Sequence, residues 1–191
     1  MTESDSKVAF LAEIWYFRKI WNAFTEVKVM LEKGSIQIYY GEGRGKTNAA
    51  LGNALRAAGE GKTVVIVQFL KGKNGDRMDF LQRLEPEIKI FRFEKSEGYY
   101  EELSDAEKDE EKMNMKNGLN FAKKVLVTGE CSVLILDEVL GLIDNGVISS
   151  EELEAVLQAK TDDVEIIMTG RVLEDSVRAY ADEIYNIAAE K

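Results

Sequence analysis

Ile36-Gln37-Ile38-Tyr39-Tyr40-Gly41-Glu42-Gly43-Arg44-Gly45-Lys46-Thr47 is the stretch that decides the fold. Its first five residues are an apolar, β-branched and aromatic run that predicts a strand. Thr47 to Ala58 reads as a helix, with Ala and Leu filling its buried side. Between them lies a glycine-rich loop, in the context a phosphate-binding loop requires. Glycines let the backbone curl so that successive N–H groups turn toward anionic oxygens. The helix N-terminus adds a partial positive charge. Lys46 supplies a point charge, and Thr47 a hydroxyl for a magnesium ion. The common spacing is G-x-x-x-x-G-K-[ST]. Tyr40 stands in the place of the first Gly, so this loop is one residue shorter. The bland alternative, a glycine-rich turn without a ligand, does not explain Gly, Lys and Thr in this order between a strand and a helix.

Downstream, apolar runs alternate with helical patterns. Thr63 to Phe69 is nearly continuous in β-branched residues, which predicts a strand buried on both faces. A short helix is expected from Asp76 to Leu84, a strand from Ile88 to Phe93, and a long helix from Asp105 to Val127 whose acidic start suits the helix dipole. Val133–Leu136 and Val164–Met168 read as further strands, and Ile184–Ile187 as a candidate sixth. Ser149 with Glu152 is a capping box opening another helix. The alternation predicts an α/β fold: a parallel sheet of five or six strands flanked by helices.

Two more signals fall at strand ends. Leu134-Ile135-Leu136-Asp137-Glu138 brings a pair of carboxylates to the C-terminal edge of the sheet, where ligands bind in such folds. They can hold the magnesium ion directly or through water; the bland alternative is a pair capping the next helix. Thr169-Gly170-Arg171 brings an Arg able to grip phosphate oxygens bidentately, or else forms a surface turn. Asp144-Asn145-Gly146 resembles half a calcium loop, but with Gly146 as the sixth position Gly141 and Ile143 fall where oxygen donors are needed. Cys131 precedes a buried strand and reads as inert core.

Composition narrows the chemistry. Lys+Arg 25 against Asp+Glu 35 gives a net charge of −10 over 191 residues, which argues against a nucleic-acid partner that needs a broad basic face. The chain has no His and one Cys. Ser-His-Asp and Cys-His catalysis, an intramolecular disulfide and a Cys/His zinc site are therefore excluded. The acidic N-terminus lacks the pattern of a secretory leader. The apolar stretch from Val8 to Val29 is broken by Glu13, Arg18, Lys19 and Glu26, so no membrane span is expected and the protein reads as cytoplasmic. Within that stretch Phe10, Ile14, Phe17, Trp21 and Phe24 recur at helical spacing. Residues 1–33 are thus expected to form an aromatic amphipathic helix, and residues 34–191 the phosphate-loop domain. The aromatic face is too apolar to be left in water; it covers its own domain, a ligand or a partner subunit.

In these motifs the chain resembles the P-loop ATP:corrinoid adenosyltransferases. Gly41–Thr47 resembles the family's shortened loop, and Ala49-Ala50-Leu51-Gly52 with Ala54-Leu55-Arg56-Ala57-Ala58-Gly59 the helix after it. Val65-Ile66-Val67-Gln68-Phe69-Leu70-Lys71-Gly72, Leu136-Asp137-Glu138-Val139, Leu153–Leu157 and Ile166–Arg171 follow in the family's order. The resemblance implies a P-loop NTPase-like (RecA-like) fold. It implies transfer of the 5′-deoxyadenosyl group of ATP to the Co(I) of a reduced corrinoid, with release of triphosphate. Co(I) is itself the nucleophile, so a chain without His suits the reaction. By the same resemblance Gly41, Glu42, Gly43, Arg44, Gly45, Lys46, Thr47, Asn48, Arg56 and Arg171 would surround the nucleotide. Lys46 and Arg56 would act on the phosphates, and Thr47, Asp137 and Glu138 would hold Mg2+. Tyr99 and Tyr100 are the nearest candidates for the aromatics that displace the corrinoid's lower ligand. A homodimer and a flavoprotein reductase partner are also implied.

The chain departs from the family at Asn48, where a second Thr is usual, and at Ala189-Glu190-Lys191, where many members carry a basic, His-containing tail. Competing readings are a paralogue that binds ATP or corrinoid without turnover, and a P-loop phosphohydrolase with Glu138 orienting water.

Overall fold

The computed structural model describes residue 19 and residues 33–71, 79–96, 98 and 100–190. The chain divides into two units, Met1–Lys33 and Gly34–Lys191. The aromatic helix expected over residues 1–33 lies outside the described residues, apart from the helical Lys19.

In the second unit the expected alternation appears. The strands are β1 (Ile36–Tyr40), β2 (Val64–Gln68), β3 (Ile88–Arg92), β4 (Val133–Asp137), β5 (Glu165–Gly170) and β6 (Glu183–Asn186). The helices are α1 (Lys46–Gly59), α2 (Asp105–Thr128), α3 (Leu140–Asp144), α4 (Ser150–Leu157) and α5 (Asp175–Arg178). The strands form one sheet in the order β3-β2-β4-β5-β1-β6, with every pairing parallel. This architecture is consistent with a P-loop NTPase-like fold.

Strand alternation divides the core between the two faces of the sheet. Val64, Ile66, Val133, Ile135 and Ile167 face the small side chains Ala50, Ala54 and Ala57 of α1. Val65, Val67, Leu134, Leu136, Ile166 and Met168 turn to the other face, where α2 and α4 contribute Leu119, Ala122, Leu126, Leu153 and Val156. Burial on both faces explains why β2 and β4 are unbroken apolar runs. Ser149 accepts the N–H of Glu152 at 3.3 Å and donates its own to the Glu152 carboxylate at 2.9 Å, the capping box that opens α4.

Two segments differ from expectation. The helix expected over Asp76–Leu84 is a 3-10 turn at Asp79–Leu84, with residues 76–78 outside the described residues. Pro86 follows closely, and the residue before a proline is driven away from helical geometry. The fifth strand, expected to stop at Met168, takes in Thr169 and Gly170 as well, in register with Tyr39 and Tyr40. A Cβ on Gly170 would lie 2.4 Å from Leu140 Cβ, so only glycine lets α3 pack there.

The register aligns the C-terminal ends of the strands. Gln68 is the partner of Asp137 across β2 and β4, and Tyr40 of Gly170 across β1 and β5. The loop after β1, the acids after β4 and the residue after β2 therefore open on one sheet edge, where ligands bind in folds of this kind.

Candidate functional site: the phosphate loop and its cation position

The loop from Gly41 to Gly45 joins β1 to α1. Gly41 and Gly45 adopt φ of +116° and +143°, a region L side chains rarely enter. Gly41 N–H donates to the Arg171 carbonyl at 3.0 Å, and Gly43 N–H to the Ile187 carbonyl at 2.8 Å. The loop is thus held from both neighbours of β1. Lys46 is buried, 8% exposed. Its ammonium donates to the carbonyls of Gly41 at 2.6 Å and Gly43 at 3.0 Å. A positive charge is therefore fixed inside the curl, beside the N-terminus of α1, whose first N–H groups have no partner within the helix. That is an anion site made of backbone and one lysine.

Asp137 sits beside it, 1% exposed. Its Oδ1 accepts the hydroxyls of Thr47 at 2.8 Å and Thr169 at 2.7 Å. Its Oδ2 accepts Gln68 Nε2 at 3.0 Å. Arg92 donates to Gln68 Oε1 at 2.8 Å, which fixes the amide with its NH2 toward Asp137. Lys71 reaches the same group from the end of β2: its ammonium lies 3.1 Å from Thr47 Oγ1 and 3.4 Å from Asp137 Oδ2.

Glu138 follows at φ +63°, costly for a residue other than glycine. Its N–H donates to Thr169 Oγ1 at 2.7 Å. Burial pushes its carboxyl above the usual glutamate range, the neighbouring Asp137 adds to this, and the charges of Lys46, Lys71 and Arg171 oppose it. Leu70, just before Lys71, has φ +60°. Its N–H donates to the Glu94 carboxylate. Desolvation raises the Glu94 pKa.

Of the residues singled out in the sequence, Gly41, Gly43, Gly45, Lys46, Thr47, Asp137 and Glu138 come together here. Glu42, Arg44 and Asn48 belong to the same loop and helix start with exposed side chains. Arg171 is exposed, and its charge is felt by Glu138. Arg56 is not brought to the loop. It lies ten residues along α1 from Lys46, about 15 Å at 1.5 Å per residue, and bonds Glu60 at 3.0 Å and Asn53 at 3.3 Å. Tyr100 is in the core, 8% exposed, with the Lys108 ammonium 6.0 Å from its ring centroid. Tyr99 lies outside the described residues. Sequence reasoning gave no role to Gln68, Lys71 or Thr169. A polar or cationic residue closing the apolar β2 run was the signal for the first two.

Thr47, Asp137 and Glu138 are hard oxygen donors, and an ammonium already rests on oxygens of the first two. The set therefore fits a divalent cation. Among the described residues no group of three His, Cys, Asp or Glu side chains could hold a metal unaided. The arrangement suits a Mg2+ that takes most of its ligands from phosphate and water.

Residues 32–191 match the profile of the ATP:corrinoid adenosyltransferase BtuR/CobO/CobP family. The chain belongs to this family. Membership assigns it the activity class, corrinoid adenosyl transfer, and the substrates, ATP and a corrinoid. The corrinoid adenosyltransferase of Escherichia coli K12 is 30% identical over 162 residues, 84% of this chain and 79% of that protein. The corrinoid adenosyltransferase CobA of Salmonella typhimurium is 31% identical over the same shares. An uncharacterized protein of Nostoc sp. is 34% identical over 152 residues, 72% of this chain but 39% of the Nostoc protein's length. Among the described residues no helix is long and apolar enough to cross a membrane.

Proposed function

We propose that the chain transfers the 5′-deoxyadenosyl group of ATP to the Co(I) of a reduced corrinoid, with the phosphate loop as the seat of the leaving triphosphate. In the balanced step, the Co(I) electron pair forms the bond to C5′. The C5′–O bond breaks, and its electron pair leaves on triphosphate. No proton is abstracted, so no general base is required, in keeping with a chain that has no His. The protein's part is to orient the reactants and to stabilise charge on the leaving group.

The observation that carries this reading is Lys46, buried and held by the carbonyls of Gly41 and Gly43 inside a loop one residue short. Lys46 and the N–H groups that open α1 bind the phosphate oxygens, and Arg171 approaches from the end of β5. Thr47, Asp137 and Glu138 would hold Mg2+. When bound, the ion neutralises charge on the triphosphate. Tyr99 and the aromatic segment of residues 1–33 are assigned to the corrinoid side on their sequence alone. The same proposal includes a homodimer, a flavoprotein reductase that supplies Co(I), and a cytoplasmic setting.

The test is an anaerobic assay with ATP, Mg2+ and chemically reduced cob(I)alamin, following the corrinoid spectrum and the phosphate product. Adenosylcobalamin and triphosphate should accumulate together. Lys46→Ala should reduce the rate by about 100-fold or more, the scale of losing a charged group on a developing anion. Steady release of inorganic phosphate without corrinoid would point to hydrolysis. ATP binding with no turnover on cobalamin or a precursor corrinoid would point to a binding paralogue.

A further inference from the structure

Lys71 lies where a metal ion would be expected. Its ammonium is 3.1 Å from Thr47 Oγ1 and 3.4 Å from Asp137 Oδ2. Those are oxygens of the hydroxyl and carboxylate that fit the divalent cation. The Lys71 side chain is only 20% exposed and Asp137 1%, so the pair is screened far less than a surface ion pair.

The main chain is built to aim it there. Lys71 follows Leu70, which is held at φ +60°, with its N–H on the half-buried Glu94 carboxylate. Leu70 packs against the turn that carries the acids: a Cβ placed on Gly141 would lie 2.6 Å from Leu70 Cδ1 and 3.5 Å from Glu138 Cγ. Positive φ at Leu70 and Glu138, the residues that follow β2 and β4 at this edge, marks paired strained turns around one position. Strain of this kind persists only where the surroundings over-determine it. A lysine that merely closed a strand would need neither turn.

We propose that Lys71 is an internal counter-ion for the cation position: it neutralises Asp137 and occupies the Thr47–Asp137 oxygens in the nucleotide-free protein, and a divalent cation binds by displacing it. The ammonium competes with the metal for those oxygens and repels it, so the protein alone binds metal poorly and accepts it together with the phosphate chain. The displaced ammonium then remains within reach of that chain as a further positive charge. This gives an order of events in which free divalent cation does not load the site ahead of ATP.

The experiment titrates Mn2+ alone into the nucleotide-free full-length protein and counts free ion by electron paramagnetic resonance. Lys71→Met keeps the aliphatic stem and removes the charge. It should bind one Mn2+ about tenfold or more tighter than wild type, since a like charge and its contacts no longer compete. Lys71→Arg should retain weak binding. Adding Asp137→Asn to Lys71→Met should abolish the gained site. Equal Mn2+ affinity in wild type and Lys71→Met, including no detectable binding in either, overturns the proposal. A gained site that survives Asp137→Asn overturns it as well. If Lys71→Met does not fold, Lys71→Gln is titrated under the same criteria. The readout uses neither ATP nor corrinoid, so failure of the adenosyl-transfer reading would leave it standing, and its own failure would leave that reading untouched.

Discussion

The carbonyl of Ile187, just past β6, accepts the N–H of Gly43 in the phosphate loop at 2.8 Å. Ile187 N–H in turn donates to the Tyr40 carbonyl at 2.7 Å, so pairing between β1 and β6 runs on into the loop. A Cβ on Gly43 would lie 2.7 Å from the Ile187 oxygen and 3.0 Å from the Ala188 carbonyl carbon, both backbone atoms. Gly43→Ala must therefore push the chain after β6 off the loop. We expect a loss of about 1–3 kcal/mol in stability, the usual cost of overpacking, and at least tenfold weaker ATP binding. Gly52→Ala is the control: its Cβ would meet nothing within 4 Å, in the interior of α1. It should raise stability by about 0.5–1 kcal/mol. Urea unfolding and calorimetric ATP titration of the two variants check the contrast.

Thr169 ties the two acids together. Its hydroxyl donates to Asp137 Oδ1 and accepts the N–H of Glu138, each at 2.7 Å, and the residue is fully buried. Thr169→Val keeps the shape and removes both bonds. A Glu138 N–H left without its acceptor costs about 1–3 kcal/mol, and the φ +63° turn loses a constraint. Thr169→Ser restores the hydroxyl and should recover most of the loss. Chemical denaturation of the three proteins, with Mg·ATP affinity measured alongside, decides whether the hydroxyl or the methyl group carries the effect.

Cys131 should be silent toward thiol reagents while the protein is folded. Burial, with the charge of Glu130, pushes its thiol up to about 12, and the nucleophile is the thiolate. At pH 8 iodoacetamide should leave the native protein unmodified over hours and label it fully in denaturant. Mass spectrometry reads both states. Rapid native labelling would mean that the start of β4 opens locally.

The sequence disclosed those parts of the site whose chemistry is contiguous. Gly41–Thr47 carries its own strand, glycines, lysine and helix start, and Asp137 closes an apolar run. What it did not disclose depends on which strands are neighbours. Lys71 and Gln68 matter because β2 pairs with β4 in the register that sets Gln68 opposite Asp137, and periodicity does not encode strand order. The strained turns were hidden for another reason. Leu70 and Glu138 take positive φ without being glycine, so no residue type announces them. Tyr100 shows the converse. An aromatic in a poorly patterned stretch gives no sign in the sequence of its burial, yet this ring packs in the core.

Glu138 gives the site a pH dependence whose sign follows from the fold. Burial, then the charge of Asp137, raise its carboxyl above the ordinary value of 4.5. The folded protein therefore keeps this proton to higher pH than the unfolded chain does. Where the native state binds more protons, stability falls as pH rises. The Glu138 contribution is thus fully present below the unfolded value and is lost as pH climbs through the raised folded value. Glu138→Gln removes that loss, so the variant should gain stability over wild type as pH rises through this window, and the two should converge below it. Other carboxyls titrate in the same range, so the quantity to read is the difference between the two proteins from parallel urea titrations at each pH. Cation binding should answer in the opposite sense, because a metal ligand must be ionised. In the presence of Mg·ATP the wild-type penalty should shrink at neutral pH, whereas Glu138→Gln should gain less from the same ligand. A difference curve flat with pH, with or without Mg·ATP, would show that the Glu138 carboxyl titrates alike in the native and unfolded protein and would overturn this prediction.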